Sequence, residues 1–347
     1  MRRRAVSFSL PLLPILGLHR EAMSQITASP ATEGGRRSDS SYPAFDSVGS
    51  KIEAEYTDVD SVVVVRRGRV LFEHYKCGAE VLRDVQSVTK SVLSLAVGTA
   101  LGQGAIRSLD QPVSELLRVA GYSDGDNAAA PVTVRHLLTM TAGFATQERF
   151  APGTADAMGF LLKRRRVAPP GSVFAYDNLC ANLLSLVLEA ATGKLAASFA
   201  QDAIFRPLGI SEYEWAKGSN GHSLGFSGLR LRTRDMATLG ELVLGAGNWQ
   251  GAQIVPESYA RAAVVAQNAG GSPVGLPYGY MWWVVPSPAV RPTFFASGWG
   301  GQFVWVDPAL DLVVATTSEV SAAANRRGDA LKLIRTELFR AAAATNP

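Results

Sequence analysis

From Val85 to Leu101 the chain is a run of apolar and small residues broken by one charge, Lys90. Its hydrophobicity is spread around the whole helical circumference instead of gathered into one stripe. A helix of that kind has no face to offer water and must be enclosed. Gly102 and Gly104 stop it. Whatever fold the chain adopts has to cover this helix with further layers.

The covering layers are legible toward the two ends of the sequence. Ser61-Val-Val-Val-Val65 and Arg69-Val-Leu-Phe-Glu-His-Tyr75 flank Arg66-Arg67-Gly68 and predict a β-hairpin. Far downstream, Tyr278-Gly-Tyr-Met-Trp-Trp-Val-Val285, Phe303-Val-Trp-Val306 and Leu312-Val-Val-Ala-Thr-Thr317 each predict a strand, with a turn at Asp307-Pro308 and Leu310-Asp311. Between these ends the pattern is helical and loop-rich. Thr133–Met140, Leu179–Thr192 and Thr233–Leu244, the last with Thr233 as its capping residue, read as helices, and a final helix runs from about Ala324 to Ala344. The expected fold is α/β (α+β): an antiparallel sheet flanked by helices, built from both ends of the chain, with an all-helical subdomain inserted. The expected division is a signal segment and linker over 1–41, an α/β domain over 42–104 and 232–347, and a helical subdomain over 105–231.

Composition narrows the function. The chain has 347 residues, 47% apolar and 18% charged, which suits one large globular domain or two modest ones. A formal charge of +4 with no interleaved basic and aromatic stripe argues against nucleic acid as a partner. The densest basic run, Lys163-Arg164-Arg165-Arg166, reads as a solvated loop. Cys77 and Cys180 are expected as free thiols. Neither they nor His19, His74, His136 and His222 stand at metal-ligand spacing, so no metal and no cofactor are implied. Arg2-Arg3-Arg4 followed by the apolar Ala5–Leu18 resembles an export signal too short to span a membrane. Ser24–Ser41 reads as a linker. The expectation is a periplasmic or secreted protein, or a cytoplasmic one if the segment is a plain extension.

Three segments can carry chemistry. In Ser87-Val-Thr-Lys90, positions i and i+3 at the start of a helix share a face, so the lysine amine can reach the serine hydroxyl. The positive end of the helix favours an alkoxide, and burial lowers the lysine's pKa. Tyr176-Asp177-Asn178 follows Pro169-Pro170-Gly171. A tyrosine fixed beside that lysine can take and return a proton, and Asn178 can orient the substrate or the lysine. Ala296-Ser-Gly-Trp-Gly-Gly-Gln302 leads into a strand, where glycines let a backbone N–H approach a substrate and pair with that of Ser87 as an oxyanion hole. Each motif alone is ordinary.

Taken together and in this order they resemble the family of class C β-lactamases, penicillin-binding-protein-like esterases and 6-aminohexanoate-dimer hydrolases, from about Ser61 to the last helix. Arg135-His-Leu-Leu-Thr-Met-Thr-Ala-Gly143, Phe205-Arg-Pro-Leu-Gly209 and Tyr278-Gly-Tyr-Met-Trp-Trp283 add to the match. The resemblance implies an α/β domain and an all-helical domain with the site between them. It also implies Ser87 as nucleophile, Lys90 and Tyr176 as proton carriers, and an acyl-enzyme. The third family motif, usually Lys or His, then Thr or another residue, then Gly, aligns with Ala296-Ser297-Gly298, which puts the second oxyanion N–H on Trp299. The register Trp299-Gly300-Gly301 would move it to Gln302. Both registers lack the cation that would bind the carboxylate of a β-lactam or a peptidoglycan stem, so a neutral small-molecule ester or amide fits better. The readings, in order, are a carboxylesterase, an amide or 6-aminohexanoate-oligomer hydrolase, a β-lactamase or D,D-peptidase, and an inactive binding protein on the same fold.

Gly221-His-Ser-Leu-Gly225 resembles a nucleophile elbow, but it lacks the preceding strand and any later histidine, and it is rejected. His74 and His136 read as structural, and Trp282 and Trp283 as core residues.

Overall fold

The computed structural model describes residues 42–117, 131–145, 165–288, 291–320 and 327–345, all within one compact unit from Arg37 to Pro347. The export-signal and linker reading of 1–41, and Lys163-Arg164 of the basic run, lie outside the described residues.

After a short helix α1 (Val48–Glu55), the hairpin forms as β1 (Val59–Arg66) and β2 (Arg69–Tyr75). Its turn holds Arg67 and Gly68 at φ of 48° and 70°, the paired left-handed conformation that a two-residue hairpin demands. Then come β3 (Arg83–Asp84), α2 (Val88–Gly102), α3 (Val113–Leu116), α4 (Val134–Leu138), α5 (Asn178–Thr192) and α6 (Ala196–Ala200). A π-helical turn (Gln201–Phe205) leads to β4 (Glu214–Trp215), β5 (Leu229–Leu231) and α7 (Thr233–Leu244). The rest comprises β6 (Asn248–Trp249), β7 (Ala252–Gln253), α8 (Glu257–Ala263), β8 (Asn268–Gly271), β9 (Leu276–Tyr278), β10 (Trp283–Val284), β11 (Phe294–Gly298), β12 (Gln302–Asp307) and β13 (Leu312–Ser318). Two closing helices, α9 (Arg327–Leu333) and α10 (Phe339–Ala344), are joined by a π-helical turn over Ile334–Leu338.

The main sheet has eight strands in the order β2-β1-β13-β12-β11-β10-β9-β8, every neighbour antiparallel. The two ends of the chain meet at β1 and β13, where Val62 faces Thr316 and Val65 faces Val313. On the sheet lies α7, brought close by Gly240: a Cβ there would stand 2.6 Å from Val313 Cγ1.

The helix that needed enclosing is α2. Every residue from Val88 to Ala100 is buried. It packs against α5 and α6 and also against α8, β11 and β12. Val92, Leu93, Leu95 and Val97 are at most 2% exposed, and burying such side chains contributes about 1.5–3 kcal/mol each. The enclosure explains why the segment could afford no polar face.

Two expectations need correction. Tyr278–Val285 is not one strand. The chain leaves β9 at Tyr278, turns through Met281 at φ 62° and re-enters as β10, because a left-handed residue cannot continue a pleat. Thr233 does not cap α7. Arg232 occupies the capping position, and the Thr233 hydroxyl bonds the Ser61 hydroxyl at 2.5 Å, tying the helix to β1.

Candidate active site

Ser87 stands at the capping position of α2, yet its hydroxyl makes no capping bond. A serine there ordinarily accepts from an N–H one turn in; this one meets the Lys90 amine instead, Nζ to Oγ 2.9 Å. The residue before it, Gln86, is held at φ 51°. Its N–H and side-chain amide both donate to the Asp84 carboxylate, at 2.8 and 2.9 Å. Non-glycine residues adopt this conformation only where their surroundings over-determine it. The result is a sharp entry that delivers Ser87 to the head of a buried helix.

Lys90 is 1% exposed. Besides Ser87 it donates to the Phe226 carbonyl at 3.0 Å, and its Nζ lies 4.9 Å from the centre of the Tyr176 ring. Burial pushes the Lys90 ammonium below its ordinary value, opposed in part by the Tyr176 phenol and the Asp177 carboxylate. A lysine so placed can hold a lone pair toward the serine proton.

Tyr176 arrives on an irregular loop anchored by the Arg135–Gly143 motif. Thr141 O accepts from the Gly171 N–H at 2.7 Å, Met140 O from Ala175 N–H at 2.8 Å and Gly143 O from Val167 N–H at 2.8 Å. A Cβ on Gly143 would stand 2.2 Å from Ala168 O, so only glycine fits this crossing. Past Tyr176, the Asp177 carboxylate caps α5 by accepting from Leu179 N–H at 2.8 Å. The Tyr176 ring stacks on Trp283 at 5.8 Å and 22° and meets the edge of Tyr278 at 6.2 Å. Burial and the neighbouring Tyr176 hold the Tyr278 phenol well above its ordinary value.

The third segment is the end of β11. A Cβ on Gly298 would stand 2.5 Å from Val85 O and 2.9 Å from Gln86 Cβ, so the strand abuts the chain immediately before Ser87. Ser297 is half-buried there, and Trp299, 45% exposed, follows at the turn. Gln302 is fully buried. Its amide donates to Ser318 O at 2.8 Å and Trp299 O at 3.2 Å and accepts from Ser318 N–H at 3.1 Å. That side chain braces β12 against β13. Asn178 stands exposed as the first residue of α5, and it is the Asp177 carboxylate beside it that acts on Lys90.

Ser87, Lys90, Tyr176 and the Gly298 edge therefore converge. Other candidates lie elsewhere or serve structure. The Ser223 hydroxyl accepts from Ala197 N–H at 3.1 Å, and Glu189 Oε1 accepts from Ser223 N–H at 3.1 Å while Glu189 Oε2 pairs with His222 Nδ1 at 2.5 Å, a structural brace and not an elbow. His136 completes a capping box with Thr133 at the start of α4. His74 Nε2 lies 3.1 Å from Glu53 Oε1, and burial lowers the pKa of the ring. No disulfide joins Cys77 to Cys180. Trp282 packs on Phe294. Two contributors were not read from the sequence as part of the site: the Phe226 carbonyl, which any residue could supply, and Trp283, whose partner is distant in the chain.

The family model described as Beta-lactamase matches residues 51–337. The 6-aminohexanoate-dimer hydrolase of Paenarthrobacter ureafaciens is 25% identical over 308 residues, 76% of this chain and 73% of that protein. Esterase EstB of Burkholderia gladioli is 28% identical over 178 residues, 43% of this chain and 45% of that one. Among solved structures, a penicillin-binding protein homologue from Caulobacter crescentus shares the fold at a TM-score of 0.69 and 15% identity, covering 87% of this chain and 98% of its own. With the family model spanning most of its length, the chain belongs to the beta-lactamase family of hydrolases.

Proposed function

We propose that the protein is a serine hydrolase that cleaves neutral carboxylic esters, and small amides by the same route, through an acyl-enzyme on Ser87. The observation that carries this reading is the 2.9 Å contact between Ser87 Oγ and a buried lysine whose ammonium is disfavoured. Lys90, with Tyr176, takes the Ser87 proton as Oγ attacks the substrate carbonyl. The developing oxyanion sits between the N–H groups of Ser87 and Trp299, in the register that Gly298 makes by abutting Val85 and Gln86. Tyr176 delivers the proton to the departing alcohol or amine. It then draws a proton from the water that releases the acid and regenerates Ser87.

Substrate choice follows from what β11 lacks. Ala296-Ser297-Gly298 brings no cation to the site's edge, so a substrate carboxylate has no partner on that strand, and neutral acyl compounds are favoured over β-lactams.

Brief exposure to a fluorophosphonate, read by intact mass and peptide mapping, tests the nucleophile. One adduct on Ser87, absent from Ser87→Ala, is expected. An unlabelled, well-folded wild type would make the chain a binding protein on this fold, and an adduct on Ser223 would overturn the assignment. In a subsequent screen, p-nitrophenyl esters should turn over ahead of amide oligomers and of a chromogenic cephalosporin.

A further inference from the structure

We infer that Trp283 is a positioning residue for this chemistry, holding the Tyr176 phenol in register with Lys90 and Ser87; the inference rests on the catalytic reading above. Tyr176 needs such support. The bonds at Gly171, Ala175 and Asp177 fix the backbone of its loop, but they do not choose the ring's rotamer. The groups in contact with the ring do. They include Lys90 Nζ at 4.9 Å, the Trp283 indole stacked at 5.8 Å, and the edge of Tyr278.

Trp283 is well built for the task because it is fastened to the other parts of the site. It is 3% exposed, and it pairs with Tyr278 of β9 on one side and with Phe295 of β11 on the other. β11 ends in Ser297-Gly298, the edge that abuts Gln86. The turn preceding Trp283 is tied to the nucleophile's own helix. Ser91, one turn after Ser87, donates its hydroxyl to Met281 O at 2.7 Å. Met281, left-handed at φ 62°, donates its N–H to Leu138 O at 3.0 Å within the motif that anchors the Tyr176 loop. The backbone of Met281–Trp283 thus links the helix of Ser87 and Lys90, the motif that anchors the Tyr176 loop and the strand edge, and the indole it carries bears on the Tyr176 ring. Errors of a fraction of an ångström among these groups are costly to rate.

The test is a double-substitution cycle read as kcat and KM on p-nitrophenyl acetate, as the fluorophosphonate labelling rate of Ser87, and as thermal melting. Tyr176→Phe should lower kcat on the order of a hundredfold or more. Trp283→Leu should lower kcat about tenfold or more with KM changed less than about threefold, and Trp283→Phe should recover most of the loss. In the Tyr176→Phe background, Trp283→Leu should have no further effect, since it acts through the ring's phenol. Multiplying losses, a loss confined to KM, or wild-type kcat in folded Trp283→Leu would overturn the inference. Wild-type kcat in Tyr176→Phe would overturn the underlying role of Tyr176, a different failure. Should Trp283→Leu not fold, Ser91→Ala serves, because it loosens the Met281 tether. It should lower kcat in wild type about threefold or more and leave Tyr176→Phe unchanged, whereas equal losses in both backgrounds would overturn the inference.

Discussion

Lys90, in the proposed role, sets stability against function in one side chain. Its ammonium is disfavoured by burial, so in the window between the lowered folded value and the ordinary 10.5 the unfolded chain carries a proton that the folded chain lacks. Stability from this group therefore rises with pH across that window, and at lower pH its full burial penalty is borne. Lys90→Met removes the titration. The difference in unfolding free energy between variant and wild type should shift in favour of the variant as pH falls from about 10.5 toward neutral, while hydrolysis falls about a hundredfold or more. Loss of the bonds to Ser87 and Phe226 sets a pH-independent offset, so the slope is diagnostic. A flat difference, measured by denaturant melts across that range, would mean that Lys90 is not destabilised by burial. Ser87 and Lys90 were legible as a pair because helical spacing alone puts them on one face. Asn178, read as able to orient the substrate or the lysine, stands exposed at the head of α5 beside the Asp177 carboxylate that caps the helix.

Among elements, regular ones were legible where pattern and environment agree. β1, β2, β13 and α2 are buried along most of their length or ended by glycine turns, and their sequences say so. β9 and β10 were read as one strand because their apolar run is nearly continuous; the break at Met281 is held by tertiary bonds to Ser91 and Leu138 together with the local bond from Gly279 N–H to Trp282 O. The approach of β11 to the Ser87 entry was legible only as a Gly-rich strand end. Its meaning lies in the space at Gly298, where a methyl group would meet Val85 O at 2.5 Å. Since that neighbour is backbone, Gly298→Ala must push β11 away from Gln86. It should slow fluorophosphonate labelling of Ser87 about tenfold or more by misplacing the oxyanion donors. It should cost stability only about 1–3 kcal/mol, as overpacking does. Labelling at the wild-type rate in the folded variant would mean that the strand edge takes no part in the chemistry.

At the scale of the molecule, the pairing of β1 with β13 closes the chain on itself, joining residues near 62 to residues near 316. No local element can protect β1, because its other neighbour, β2, lies at the sheet's edge. The central helix reinforces this dependence, since α2 packs both on α5 and α6 and on β11 and β12, leaving neither the helical segment nor the sheet with a finished core of its own. Opening either should expose α2. Native-state hydrogen exchange should therefore give the amides of Val62–Val65, Val92–Val97, Leu183–Leu186 and Val313–Ala315 one common free energy of opening, equal to that of global unfolding. Separation of Leu183–Leu186 into a lower-energy class would show that the inserted helical region, expected over 105–231, opens as a unit of its own. That outcome would also imply that α2 keeps its cover from the sheet alone, against the burial seen around the whole helix from Val88 to Ala100. A common value would instead make α2 the member that binds the two halves into one cooperative structure, so that the residues proposed for catalysis and those serving cohesion share a single element.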